Sequence, residues 1–289
     1  MISTSGLFAQ QTHVGSDGVE VTISDLSRIV AIGSAVTETI FALDAHDKVV
    51  AVDESSLYPD EAAALPKVPF TRNISAEGIL SMNPTIVLAS DAAGPATAVQ
   101  QIRSTGTALL KVTADETVDG AFERVEQLCK ILDREAEAES IINQMRKELE
   151  IAKKNRSNLS ELPKVLFIYA RGANNLTVAG NRTSAKTMIE LSGGVNAFDN
   201  FDGYKPLTPE AVVTANPDII LMMDSGIESV GGVDGVLKAP GVNLTEAAKQ
   251  GSIYSMDGNY LLGFGPRMGQ AVLALMGYLH PDIQTSLSE

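Results

Sequence analysis

Two glutamates stand at matching places in a repeated stretch of this chain. Residues 74–90 read ISAEGILSMNPTIVLAS and residues 207–223 read LTPEAVVTANPDIILMM. Each runs hydroxyl residue, Glu, apolar helix-like segment, Asn-Pro, polar residue and β-branched apolar run. The offset is constant: 210 − 77 = 133 for Glu77 and Glu210, and 216 − 83 = 133 for Asn83 and Asn216. A carboxylate two residues after Ser75 or Thr208 lies in a first helical turn, where the helix dipole favours it by about 0.3–1 kcal/mol. That accounts for each Glu on local grounds. A repeated surface charge equally suits a cationic partner, and position alone leaves both readings open.

Other chemistry finds little footing. His13, His46 and His280 have neither metal-ligand nor triad spacing, and no G-x-S-x-G is present. GFGPRMG (263–269) offers Gly263 and Gly265 to a dinucleotide fingerprint, but Met268 stands where the third glycine belongs, and the segment lies near the C-terminus rather than after a first strand. GGVDG (231–235) reads as a turn cluster without the Lys of a phosphate loop. The residues point to binding rather than catalysis.

The elements that must carry these residues follow a strand-helix-strand grammar. RIVAIG (28–33) is a short apolar strand leading into SAVTETIFAL (34–43), with Ser34, Thr37 and Glu38 as helix-start residues, and KVVAVDES reads as a second strand. In the repeated unit, Ser75 is the N-cap, Asn-Pro the stop and TIVLAS the strand. The second half restarts with KVLFIYA (164–170) and SAKTMIELSGG (184–194), and the two opening helices share Ser-Ala-x-Thr. A period this long means two similar lobes with parallel sheets covered by helices, not a solenoid. From Glu116 to Leu159 the chain has no proline and one glycine, with apolar residues three and four apart; it reads as helix with a break near Asp133. The expected organisation is a signal remnant and N-terminal extension (1–27), an N-terminal lobe (28–115), a stiff helical connector (116–160) and a C-terminal lobe (161–289). The fold class is α/β.

A length of 289 residues fits two domains, and 44% hydrophobic with 20% charged residues describes an ordinary globular chain. The formal net charge of −14 argues against nucleic acid, whose phosphates demand clustered Lys and Arg. The single Cys129, in EQLCKIL, forms no internal disulfide and reads as a packed thiol. No run reaches the length of about 18 apolar residues of a membrane span. MISTSGLFAQQ looks like the tail of a secretory signal, or equally a frayed start.

SAEGILSMNPTIVLASDAAGP (75–95), FDGYKPLTPEAV (201–212), ESVGGVDGVLKAPGV (228–242) and LLGFGPRMGQA (261–271) resemble the periplasmic substrate-binding proteins of hemin ABC importers, within the helical-backbone metal-chelate receptors that include cobalamin and siderophore binders. The resemblance covers most of residues 28–280. It implies two Rossmann-like lobes joined by one long backbone helix, ligand in the cleft between them, an envelope location after secretion, a monomeric protein and delivery to a membrane permease; the stiff connector itself suggests a clamp with small closure. The resemblance implies no catalytic cofactor; haem is the cargo. It also implies that Glu77 and Glu210 are the two surface carboxylates that pair with permease arginines.

One departure matters. Where many hemin binders carry Tyr-x-Arg-x-x-Ser-Ala-Glu-Gly and ligate iron through that Tyr, this chain has Phe70 followed by Arg72, and no His stands near Tyr169-Ala170-Arg171. The iron ligand is therefore unassigned. Tyr58, Tyr169, Tyr204, Met223 and Met268 are chemically capable. Alternatively, haem sits without an axial protein ligand, with Phe70 against the macrocycle and Arg72, Arg171 and Arg267 on its propionates, since a guanidinium matches a carboxylate bidentately. A third option is a different tetrapyrrole, a corrinoid or another chelate. The expected function is hemin capture for an ABC importer; the alternatives are another metal chelate, or an interaction or sensory module on the same fold.

Overall fold

The computed structural model describes residues 10–283, which divide into two compact units with the boundary between Ile142 and Asn143. The division falls inside a 23-residue helix, Glu135–Ser157. The expected connector is two helices, Val118–Leu132 and Glu135–Ser157. Asp133 breaks them, taking a left-handed φ of 53° as the C-cap of the first. Cys129 is buried in the first of these helices, and burial pushes its thiol pKa up, so it serves packing.

The first unit opens with β1 (Gln11–Val14) and β2 (Glu20–Ile23), an antiparallel pair. The sequence shows no clear period here, yet the Gly15–Gly18 turn closes the hairpin and the buried Val21 and Ile23 alternate with exposed neighbours along β2. The first residues of the expected signal remnant lie outside the described residues. A five-stranded sheet follows from β3 (Ile29–Ile32), β4 (Val49–Asp53), β5 (Lys67–Val68), β6 (Ile86–Ser90) and β7 (Ala108–Val112), all parallel in the order β5-β4-β3-β6-β7. That is the doubly wound order, whose ligand crevices open at the carboxyl ends of the strands. Its strands are nearly continuous apolar runs because both faces are covered.

The second unit contains β8 (Lys164–Ala170), β9 (Leu176–Ala179), β10 (Val195–Asn196), β11 (Tyr204–Pro206), β12 (Ile219–Met223) and β13 (Ile253–Met256). Its sheet runs β11-β9-β8-β12-β13, with β10 also on β8. Here the expected parallel sheet carries an antiparallel extension. β8, β10, β12 and β13 are parallel, but β9 is antiparallel to both β8 and β11. The cause is the loop between β8 and β9, closed by Arg171 N–H to Asn175 O at 3.0 Å and by Asn175 N–H to Gly172 O at 3.1 Å. A connection that short joins only antiparallel strands; a parallel return needs a crossover.

The repeat is structural. Ser75 and Thr208 cap the helices Ala76–Leu80 and Pro209–Ala215, accepting from the amides of Gly78 (3.1 Å) and Ala211 (3.3 Å). Asn83 and Asn216 both turn left-handed, at φ 50° and 39°. β6 and β12 have bounds that differ by the same 133 residues. Arg28, just before β3, donates to the carbonyls of Met82 and Asn83, and Lys164, first in β8, donates to that of Ala215, so each repeated helix ends on a cation. The helix Ser34–Ala42 begins at Ser34 after the N-cap Gly33, three residues before Thr37, without a side-chain cap.

In the second unit the helix Met268–Leu279 packs its Gly269 onto Glu148 of the long helix. A β-carbon on Gly269 would sit 2.5 Å from Glu148 Oε2, 2.6 Å from Glu148 Cβ and 3.2 Å from Met145 O. Oε2 can swing away, but a Cβ moves only with its helix. Gly269→Ala is expected to destabilise the protein by about 1–3 kcal/mol, read as a lower urea midpoint at unchanged slope.

Candidate functional site

In the first unit the candidate residues hang on the carboxyl ends of β4 and β5. Tyr58 follows the turn after β4, and Phe70 and Arg72 flank Thr71 in the single turn Thr71–Asn73 after β5. Leu57, Tyr58 and Phe70 are 57%, 44% and 56% exposed, unusual for large apolar side chains, and Arg72 is exposed as well. What fixes these segments is Asp53, the last residue of β4, fully buried. Its Oδ1 accepts from the Gly33 amide at 3.0 Å and the Ser56 hydroxyl at 2.7 Å. Its Oδ2 accepts from the Ser55 hydroxyl at 2.7 Å and from the Thr71 hydroxyl and amide at 2.7 and 3.2 Å. Gly33 lies at φ 107°, open to glycine, where a β-carbon would also press on Ser90 at 3.0 Å. Lys67 donates to the carbonyls of Ser56 and Ala62; its burial lowers the ammonium pKa, against the opposing pull of Asp53.

In the second unit Tyr169, Arg171 and Tyr204 come together. Arg171 Nε donates to the Tyr169 hydroxyl oxygen at 2.9 Å, with its guanidinium carbon 5.4 Å from the Tyr169 ring centroid. The Tyr169 and Tyr204 rings are 6.0 Å apart and tilted by 59°. β8 brings Tyr169 and Arg171 to its carboxyl end, and the antiparallel β9–β11 extension delivers Tyr204 beside them. The group thus combines a phenol oxygen, a guanidinium and a second aromatic face. Arg267 belongs to another contact, its guanidinium 4.8 Å above the Tyr260 ring. Met223 closes β12 half-buried against Gly258, and Met268 is buried at 2% exposure at the start of its helix. At that exposure Met268 presents almost no surface to a ligand in this conformation. Among the described residues, no three His, Cys, Asp or Glu side chains gather as a metal site.

Glu77 and Glu210 occupy the same second helical position, both exposed, and neither has an ion-pair partner among the described residues. Beside Glu210 the surface dips into a concavity of about 520 Å³ lined by Phe198, Asp199, Thr208 and Ala211 among others. Asp53 escaped the sequence reading. Its signal was an Asp ending an apolar strand and followed by two serines, a strand-end carboxylate with donors at hand.

Paired α/β lobes linked through a long helix define a two-lobed binding-protein fold. A family model for periplasmic binding proteins matches residues 29–260, and the chain belongs to that family. The chain is similar in structure to the periplasmic heme-binding protein RhuT from Roseiflexus sp. RS-1 in apo form, at a TM-score of 0.86 and 39% identity, covering 89% of this chain and 99% of that one. In sequence it is similar to YvrC of Bacillus subtilis, an uncharacterized ABC transporter substrate-binding lipoprotein, at 27% identity over 91% of this chain and 83% of YvrC. It is also similar to the vitamin B12-binding protein of Vibrio parahaemolyticus, at 24% identity over 86% of this chain and 87% of that protein. The family and these neighbours are binding proteins, not enzymes.

Proposed function

We propose that this chain captures hemin in the bacterial envelope and delivers it, as a monomer, to the permease of an ABC importer. The observation that carries the reading is the Tyr169–Arg171–Tyr204 group, in a chain 39% identical to a heme-binding protein. A ferric porphyrin accepts a phenolate oxygen as an axial ligand, and its propionates suit cations; a phenol with a guanidinium on its oxygen offers that ligand and balances its charge. Tyr169 is then the iron ligand in place of the missing tyrosine at Phe70, and Tyr204 meets the ring. Tyr58 and Phe70 are apolar contacts, Arg72 and Arg267 propionate partners, and Met223 a half-buried wall residue. Glu77 and Glu210 dock the permease.

A second reading, a corrinoid cargo, is supported by the likeness to the vitamin B12-binding protein. The deciding experiment is titration of the purified protein with hemin, protoporphyrin IX and cobalamin in parallel. Saturable hemin binding with a phenolate-to-iron charge-transfer band is expected, with metal-free porphyrin weaker. Cobalamin binding without hemin binding would replace this reading by the corrinoid one, and binding of neither would leave only the fold.

A further inference from the structure

Large apolar groups on loops need an anchor if they are to meet a ligand in one arrangement, and in the first unit that anchor is a single carboxylate. Ser55 and Ser56 immediately precede Leu57 and Tyr58, and Thr71 stands between Phe70 and Arg72; all three donate to Asp53. The rest of the second segment is held by main-chain bonds, Gly94 N–H to Thr71 O at 3.0 Å, Ile74 N–H to Gly94 O at 2.8 Å and Asn73 N–H to Phe70 O at 2.7 Å, and by the packing of Ile74 into the core. Thr71 to Asp53 is the side-chain hydrogen bond that ties the Phe70–Arg72 turn to β4. On the other side, Asp53 grips the Gly33 amide at the start of the helix Ser34–Ala42, where a negative charge is favoured.

We propose, on the hemin reading above, that Asp53 is a positioning residue for ligand capture: it presets the segments bearing Leu57, Tyr58, Phe70 and Arg72, and Leu57 is a further apolar contact of the macrocycle. An acceptor-only carboxylate suits this task because five donors converge on it; an amide at the same place would turn an NH2 group toward some of them. Presetting loops before binding spares the ordering entropy that a loose loop gives up when ligand arrives.

Thr71→Val tests this without dismantling the buried network, since Asp53 keeps its bonds to Gly33, Ser55, Ser56 and the Thr71 amide. The expected result is about tenfold weaker hemin binding, the loss of one hydrogen bond to a charged group. Faster hydrogen exchange at the amides of Asn73, Ile74 and Gly94 of the free protein should accompany it, while Thr71→Ser restores both. Leu57→Ala should weaken hemin and protoporphyrin IX alike, by about tenfold for a lost apolar side chain. Thr71→Val with wild-type affinity and wild-type exchange overturns the positioning role, and unchanged affinity in Leu57→Ala removes Leu57 from the contact. The exchange arm needs no ligand. Should the wild type take up no hemin, the hemin reading falls while faster exchange in Thr71→Val still supports Asp53 as the anchor.

Discussion

Charge reversal at both repeated glutamates, Glu77→Lys with Glu210→Lys, is expected to abolish importer-dependent uptake while hemin affinity of the isolated protein stays at the wild-type level. Both carboxylates are exposed and carry no ion pair among the described residues, so the fold gives them nothing to do beyond dipole complementation. That term is worth about 0.3–1 kcal/mol per helix, too little to unfold the protein. A docking charge behaves differently. Reversing it turns an attraction into a like-charge contact, and such contacts cost several kcal/mol across an interface and slow encounter as well. Each single reversal should therefore leave partial uptake, and the pair none. The measurement is hemin uptake into proteoliposomes holding the permease, with stimulated ATP hydrolysis as a second readout. Undiminished uptake by the double variant would leave the helix dipole as the whole explanation of the repeat. Glu77→Gln with Glu210→Gln separates the two accounts further, since it removes the dipole benefit without introducing repulsion and should reduce uptake less than reversal does.

Much of the repeat was legible because its signals are local. Ser75 and Thr208 cap their helices through bonds reaching three residues along the chain, and Asn83 and Asn216 turn left-handed, where Asn is tolerated better than most residues. Apolar runs at fixed distances then gave β6 and β12 equal lengths at the same offset. The break at Asp133 was visible for the same reason. What stayed hidden depends on partners distant in sequence. The antiparallel β9 followed from a five-residue loop that reads as ordinary polar sequence, and with it came Tyr204 beside Tyr169. Met268 looked as available as any thioether until its helix placed it in the core. Asp53 was read as the tail of a strand, because its five donors come from residues 33, 55, 56 and 71, and no periodicity announces such convergence. Arg28 and Lys164 were missed likewise: their roles lie in carbonyls about 50 residues away.

The sharpest test of the ligand assignment is Tyr169→Phe, which removes one oxygen and keeps the ring. Coordination to ferric iron takes the proton from a phenol, and the Arg171 guanidinium stands 2.9 Å from that oxygen to balance the bound anion. The variant should lose the phenolate-to-iron charge-transfer band outright and weaken hemin binding by about a hundredfold, the scale of a lost strong polar anchor in a site built around it. Protoporphyrin IX, having no metal to ligate, should bind variant and wild type alike. Arg171→Gln should keep the band but shift it, because the oxygen then loses a charged donor while the iron bond remains. The comparison of hemin with metal-free porphyrin in one variant isolates the iron–oxygen bond from every contact with the macrocycle and propionates. An unchanged band in Tyr169→Phe would move the ligand elsewhere, with Tyr58, Tyr204 and the half-buried Met223 as the remaining donors to replace in turn.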